Sequence, residues 1–186
     1  PSLAKAQKNE STSRGSGVII TSKGHIATSR HVVAGASTIL VSVKGDKKTY
    51  KAELVSEDQD SDLALLKFVN LPKAFKVLKL ADSRKLRVGD VVLAIGNPFG
   101  YTHTVTRGII SAKERSIGSG PYDNFLQTDA LIHPGNSGGP LVNSDAQIVG
   151  INTAVSENGL GIGFAIPSRH VKSVMIDLLK HGKVIR

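Results

Sequence analysis

Gln127-Thr-Asp-Ala-Leu-Ile-His-Pro-Gly-Asn-Ser-Gly-Gly-Pro-Leu141 is the stretch on which the reading of this chain turns. At its centre lies Gly135-Asn-Ser-Gly-Gly-Pro140. A serine set among glycines, between two apolar segments, suits a hydroxyl that must stand clear of bulky neighbours. Glycine lets the backbone turn tightly and lets a ligand approach its amides. If the Gly135 and Ser137 amides point the same way, they offer two donors to a developing oxyanion. The same six residues also fit an ordinary tight turn with an incidental serine. A base and an acid to orient it, found elsewhere in the chain, would separate the two.

Outward from this stretch, the 186 residues can close one large or two small cores. Forty per cent are apolar, glycine is frequent, aromatics are few and tryptophan is absent. Valine and isoleucine runs broken by Gly, Asn and Asp favour many short strands. The net charge of +9 comes from 24 Lys and Arg against 15 Asp and Glu. These basic residues are spread along the chain without aromatic interleaving, which argues against a stacked nucleic-acid surface. No cysteine is present, so neither a disulfide nor a thiolate enters the chemistry. No apolar run reaches the length of a membrane span.

Residues 1–14 are polar and basic and read as a loose N-terminal arm. Gly15–Ile20 and His25–Thr28 make a hairpin about the turn Ser22-Lys-Gly24. Further strands are expected at Thr38–Val43, Thr49–Ser56, Asp62–Val69 and residues 75–80. Ala81–Gly89 then crosses to a second half with strands at Asp90–Gly96, Thr102–Lys113, Phe125–Thr128, Pro140–Val142, Gln147–Val155 and Gly161–Ile166, with a turn at Asn97–Gly100. Strands this short and this regularly punctuated argue for closed barrels over βαβ units. The expected fold is all-β: two barrels, at about 15–80 and 90–166, followed by one helix over 168–181. Pro167-Ser168 signals its N-cap. Val171, Val174, Met175, Leu178 and Leu179 make its apolar stripe. Gly182 stops it, and residues 183–186 lead off the domain as a linker.

A serine hydroxyl is a weak nucleophile at neutral pH and needs a base beside it. Of six histidines, His31 follows an apolar strand and sits at its end. His25 lies by a turn, His103 in an expected hairpin, and His170 and His181 on the terminal helix, where exposure or a charge at the helix end accounts for them. His133 is close to Ser137 in sequence only. The orienting acid must be partly buried. Asp62 opens the apolar run Asp-Leu-Ala-Leu-Leu-Lys67, whereas Glu57, Asp58 and Asp60 fall in a polar loop and are expected to be solvated. Asp129 also has apolar flanks and reads as a backbone acceptor near the glycine-rich loop. The order His31, Asp62, Ser137 puts base and acid in the first barrel and the serine in the second, the chymotrypsin order. The site then lies in the cleft between them.

Taken together, Thr28-Ser-Arg-His-Val-Val33, Ser61-Asp-Leu-Ala-Leu-Leu-Lys67, Val91–Gly100, Gln127-Thr-Asp-Ala130, Gly135–Asn143, Gly150-Ile-Asn-Thr153 and Gly163-Phe-Ala-Ile-Pro167 resemble the protease domain of the HtrA (Deg) serine proteases. The bacterial periplasmic branch is the nearest. The resemblance runs from about Gly15 to the end. It implies a chymotrypsin-like double β-barrel with a C-terminal helix, in a periplasmic or other extracytoplasmic compartment. It implies that Ser137 attacks a peptide carbonyl, that His31 carries the proton, and that Asp62 orients His31. Gly135 and Ser137, with Asn136 between them, would form the oxyanion hole. Ile151, Asn152, Thr153 and Ala154 would pair with substrate backbone as an added strand. Leu131, Ile132, Ile162 and Phe164 would line an apolar S1 pocket that takes small or medium aliphatic residues. Neither metal nor cofactor is implied. Mobile loops are implied at Arg115–Asn124, His133–Gly135 and Ser156–Gly161, as are unfolded-protein substrates, a homotrimer and a downstream PDZ domain. The family carries an apolar strand where residues 1–14 are polar here, and an asparagine near Ser29-Arg30.

Two functions compete on this fold. One is an endopeptidase of protein quality control, whose cleavage is lost with Ser137. The other is a non-catalytic holdase, whose suppression of aggregation outlives Ser137→Ala.

Overall fold

In the computed structural model the described residues are 13–97, 104–118, 120–121, 123–155 and 161–186. The first half holds β1 (Gly17–Ile19), β2 (His25–Ser29), the single turn α1 (Arg30–Val33), β3 (Ile39–Ser42), β4 (Thr49–Asp58) and β5 (Leu63–Phe68). All neighbours are antiparallel, in the order β1-β2-β5-β4-β3. A 3-10 turn at Ser83–Lys85 leads to β6 (Val91–Gly96), β7 (Thr104–Arg115), β8 (Phe125–Thr128), β9 (Pro140–Val142), β10 (Ile148–Val155) and β11 (Gly163–Pro167). These six strands close a barrel in the order β10-β11-β8-β7-β6-β9. Helix α2 (Ser168–His181) ends the fold.

Strand β5 shows why the two halves form one body. Its alternation sends Ala64, Leu66 and Phe68 into a core with Ile26, Val33 and Ala52. The opposite face sends Leu63 and Leu65 into a second core with Val142, Ile148, Ile151 and Ile166 of the barrel and Val171, Val174 and Leu178 of α2. A strand buried on both faces reads as a continuous apolar run, and only Lys67 within it is exposed. The barrel's own interior is filled by Val92, Ala94, Ile110, Leu126, Leu141 and Val149.

The expected pair of barrels with a C-terminal helix is present, the first as a barrel-like sheet of five strands whose edges β1 and β3 are not joined among the described residues. Other expectations are corrected. Residues 75–80 form no strand. The amide of Leu78 donates to the Ile19 carbonyl, and Ile148 exchanges bonds with Lys79 and Ala81. These residues divide their bonds between β1 and β10, so only the isolated bridge Leu80–Ile148 forms. The helix expected over 168–181 is α2, with Pro167 at its N-cap, and the Ser168 hydroxyl donates to the Ala81 carbonyl. Leu179 lies outside the buried stripe at 41% exposure. Gly182 does end the helix, with a φ of 67° and its amide on the Leu178 carbonyl. Residues 183–186 do not lead away: Val184 packs on the core and Arg186 pairs with Asp58 at 2.7 Å and Asp60 at 3.0 Å. Asp58 is accordingly buried rather than solvated, and it also accepts from the Ser61 hydroxyl. Residues 98–100 of the turn expected at Asn97–Gly100, and residue 103 of the expected hairpin, lie outside the described residues.

Candidate active site

Strand register brings the base and the acid together. Ser29 at the end of β2 lies opposite Leu63 at the start of β5. The next residue but one after β2 is His31, and the residue before β5 is Asp62. The Arg30 amide donates to the Asp62 carbonyl. The Asp62 carboxylate accepts from the His31 amide at 3.0 Å, and its other oxygen lies 2.7 Å from His31 Nδ1. Asp62 reaches this position with a φ of 53°, a left-handed conformation that aspartate tolerates better than bulkier residues.

The same reasoning places the serine. Pro140 at the start of β9 pairs with Ile151 of β10. The Asn152 amide donates to the Gly139 carbonyl, and the Gly138 amide donates to the Asn152 carbonyl. Ser137 therefore stands beside Thr153, and its hydroxyl lies 3.4 Å from the Thr153 carbonyl. Thr153 in turn donates its own hydroxyl to Asp62 at 3.0 Å. One barrel residue thus touches both the serine and the acid across the groove. The sequence assigns Thr153 only to substrate pairing and gives no sign of this hydroxyl contact. Nothing in a Gly-Ile-Asn-Thr string signals a partner 91 residues away.

Charge follows from these contacts. The hydrogen bond to Asp62 raises the His31 pKa above 6.5, against a smaller opposing effect of burial. For Asp62, burial is the largest single influence and pushes its pKa up. The hydrogen bonds from the His31 ring and amide, the His31 charge and the Thr153 hydroxyl together outweigh it, and the carboxyl sits below 3.8. The pair is built to hold a proton on the ring beside a carboxylate.

Residues 133–136 form a turn in which the Asn136 amide donates to the His133 carbonyl at 2.9 Å. Gly135, third in the turn, has a φ of 102°. A positive φ there, after a proline in second place, marks a type II turn. Among the described residues, neither the Gly135 nor the Ser137 amide has an acceptor. Two backbone donors are therefore free beside the Ser137 hydroxyl. Asn136 is fully buried between them and packs on the bare backbone of Gly96. Asp129 accepts from the Ile109 amide at 2.7 Å, the backbone role expected of it.

The remaining site expectations divide. Ile151 and Asn152 already have their backbones paired within the barrel, to Pro140 and Ile166, and to Gly138, Gly139 and Ala165. They cannot receive an added strand, which corrects that expectation for these two. Past Asn152, the edge of β10 on the β9 side has no strand partner among the described residues, so Thr153 and Ala154 can. Ile132 is buried against Gly163, next to Ile162 and Phe164. Phe164 packs edge-on to Phe125, and Leu131 is half exposed. None of these four lines the cavity of about 330 Å³ beside Asp62, which is walled by His31, Asp60, Thr153, Phe125, Ile166 and His170. His170 is half-buried there rather than solvent-facing, and burial lowers its pKa. The loop expected to move at Arg115–Asn124 is fastened, in its described part, by the Asp123 carboxylate, which accepts from the Ser116 hydroxyl and the amides of Ile117 and Gly118. Residues 156–160 of the third expected loop lie outside the described residues.

Comparison with known proteins gives the family. Residues 15–151 match the family model of the trypsin-like peptidase domain. The chain is 48% identical over 185 residues to the periplasmic serine endoprotease DegP of Salmonella typhimurium and 46% identical to that of Escherichia coli. Each alignment covers 97% of this chain, which spans 38% and 39% of those two relatives. Among solved structures, the HtrA-type protease AlgW with a decapeptide superimposes with a TM-score of 0.88 at 46% identity, covering 92% of this chain and 53% of that one. The serine endoprotease from Yersinia pestis gives 0.82 at 44% identity, covering 97% and 62%. The chain belongs to the trypsin-like peptidase family, among the relatives of the HtrA-type serine proteases.

Proposed function

We propose that this domain is a serine endopeptidase that cleaves unfolded or damaged proteins in the periplasm, with Ser137 as nucleophile, His31 as base and Asp62 as its orienting acid. The observation that carries it is the double contact of Thr153, whose carbonyl lies by the Ser137 hydroxyl while its hydroxyl holds Asp62. In this reading the Asp62 carboxylate accepts from His31 Nδ1–H and leaves Nε2 free to take the Ser137 proton. The Ser137 oxygen bonds to the peptide carbonyl carbon, and the charge that develops on the carbonyl oxygen meets the free amides of Gly135 and Ser137. His31 then gives its proton to the departing amine. Water, deprotonated by the same ring, releases the acyl group and regenerates Ser137. Substrate backbone would extend the free edge of β10 at Thr153 and Ala154. The Leu131, Ile132, Ile162 and Phe164 surroundings favour cleavage after small or medium aliphatic side chains. The homotrimer and the downstream PDZ domain belong to this reading through the resemblance alone.

A fluorophosphonate should label Ser137, and Ser137→Ala should lower kcat for casein by about 10⁶-fold. Labelling at another residue, or full turnover by the variant, would overturn the assignment. Cut sites mapped on casein should follow Val, Ala or Ile; cuts after Lys or Arg would defeat the pocket assignment.

A further inference from the structure

Ser16 lies outside the triad, 119 residues from Gly135 in sequence, and its amide, hydroxyl and carbonyl are all hydrogen-bonded, the first two to the nucleophile loop. Its hydroxyl donates to the Gly135 carbonyl at 2.6 Å and accepts from the Asn97 amide at 2.9 Å. Its amide donates to the Ser137 carbonyl at 2.9 Å. Its carbonyl accepts from the Thr28 hydroxyl at 2.6 Å, on the strand that leads to His31. One residue of the first half therefore grips the carbonyls of both residues whose amides are free.

The consequence follows from peptide planarity. The peptide between Gly135 and Asn136 is pinned at both ends: its carbonyl by Ser16, its N–H by the His133 carbonyl. The flanking peptides carry the two free donors, Gly135 N–H before it and Ser137 N–H after it. Rotation of the central plane would carry the hinge torsions with it and turn those donors apart. The Asn97 amide occupies a lone pair of the Ser16 oxygen and directs the hydroxyl proton to Gly135. Close approach is possible because Gly138, at a φ of 82°, is bare: a Cβ there would stand 2.2 Å from the Thr28 hydroxyl and 2.3 Å from the Ser16 carbonyl.

We infer that Ser16 is a positioning residue for the oxyanion hole, holding the Gly135–Asn136 peptide so that the Gly135 and Ser137 amides face one point. This rests on the function proposed above, and it assigns a first-half residue to a site built on the barrel.

The test uses the full-length protein. In Ser16→Ala, kcat per fluorophosphonate-titrated site should fall about 10- to 100-fold with KM little changed, short of the ~10²–10³ lost when an oxyanion donor is removed outright. Affinity for a peptidyl boronate should fall in parallel with kcat/KM, and Ser16→Thr, which keeps the hydroxyl, should recover both. A purely structural role would lower the titratable fraction and the Tm while leaving kcat per site and boronate affinity intact, and that result overturns the inference. A crystal structure of Ser16→Ala reads the same point without turnover. Gly135 should leave its positive φ or its carbonyl should rotate; an unchanged turn counts against the inference. Absence of labelling in the unmutated protein would instead defeat the proposed function, so the two failures are distinct.

Discussion

Asp62 spends backbone strain to aim its carboxylate. A non-glycine residue in the left-handed region costs of the order of 1–3 kcal/mol and persists where surroundings over-determine it. Here the His31 ring and amide, the Thr153 hydroxyl and the Arg30 amide do so. The raised His31 pKa sets the pH dependence. In the proposed mechanism the ring acts as base only when neutral, so kcat/KM should rise with pH with a midpoint above 6.5. Asp62→Asn removes the bond that raises it and leaves burial, which lowers it; the midpoint should drop to 6.5 or below, and kcat should fall by about 10⁴-fold. A peptide-hydrolysis profile of both proteins checks this, and an unmoved midpoint would refute it. Stability follows the same linkage with opposite signs. The His31 contribution is fully present below 6.5 and is lost as pH rises through its raised folded pKa. The Asp62 contribution is present above 3.8 and is lost as pH falls through its lowered folded pKa. The difference in Tm between Asp62→Asn and the unmutated protein should therefore be largest between these two values.

At the scale of elements, α2 and the segment after it act as a clasp. The helix packs on β10 and β11 of the barrel and on β4 and β5 of the sheet. Val174 and Leu178 are buried in the core shared by both halves. Leu178→Ala should cost about 2–5 kcal/mol, read from the denaturant midpoint at unchanged m. The Arg186 pairs with Asp58 and Asp60 fasten the chain after the helix to the loop that precedes Asp62. Asp58 is nearly inaccessible but Arg186 is 38% exposed, so its loss should cost less than a fully buried pair, about 1–2 kcal/mol. Arg186→Ala should also speed amide exchange at Ser61, whose amide bonds to Asp58; unchanged exchange would show that the loop holds without the clasp.

Across the whole molecule, the shared core makes separate folding of the halves costly. Val18, Ala27, Leu63 and Leu65 of the sheet bury the same interface as Phe125, Val142, Ile151 and Phe164 of the barrel. Removing either half would expose this surface at roughly 25 cal/mol per Å² of apolar area. A single calorimetric transition is expected for the domain, with equal van't Hoff and calorimetric enthalpies. Two resolved transitions would show that the groove, and the Thr153–Asp62 bond across it, is not part of one cooperative unit.

What the sequence by itself determined is local. Short apolar runs bounded by turn residues laid out β2, β5, β8 and β9, because such runs are written in neighbouring residues. The glycine-rich run at 135–139 singled out the serine proposed as nucleophile, since such a loop needs small residues within a few positions of it. His31 and Asp62 were legible for the same reason, each at the mouth of an apolar strand. Only the tertiary structure decided the burial of Asp58 under Arg186, the pairing that occupies Ile151 and Asn152, and the contacts of Thr153 and Ser16. Each of these rests on hydrogen bonds or strand pairs whose energy depends on where distant backbone comes to lie. A hydroxyl in a polar string looks the same whether it faces water or a carbonyl 119 residues away.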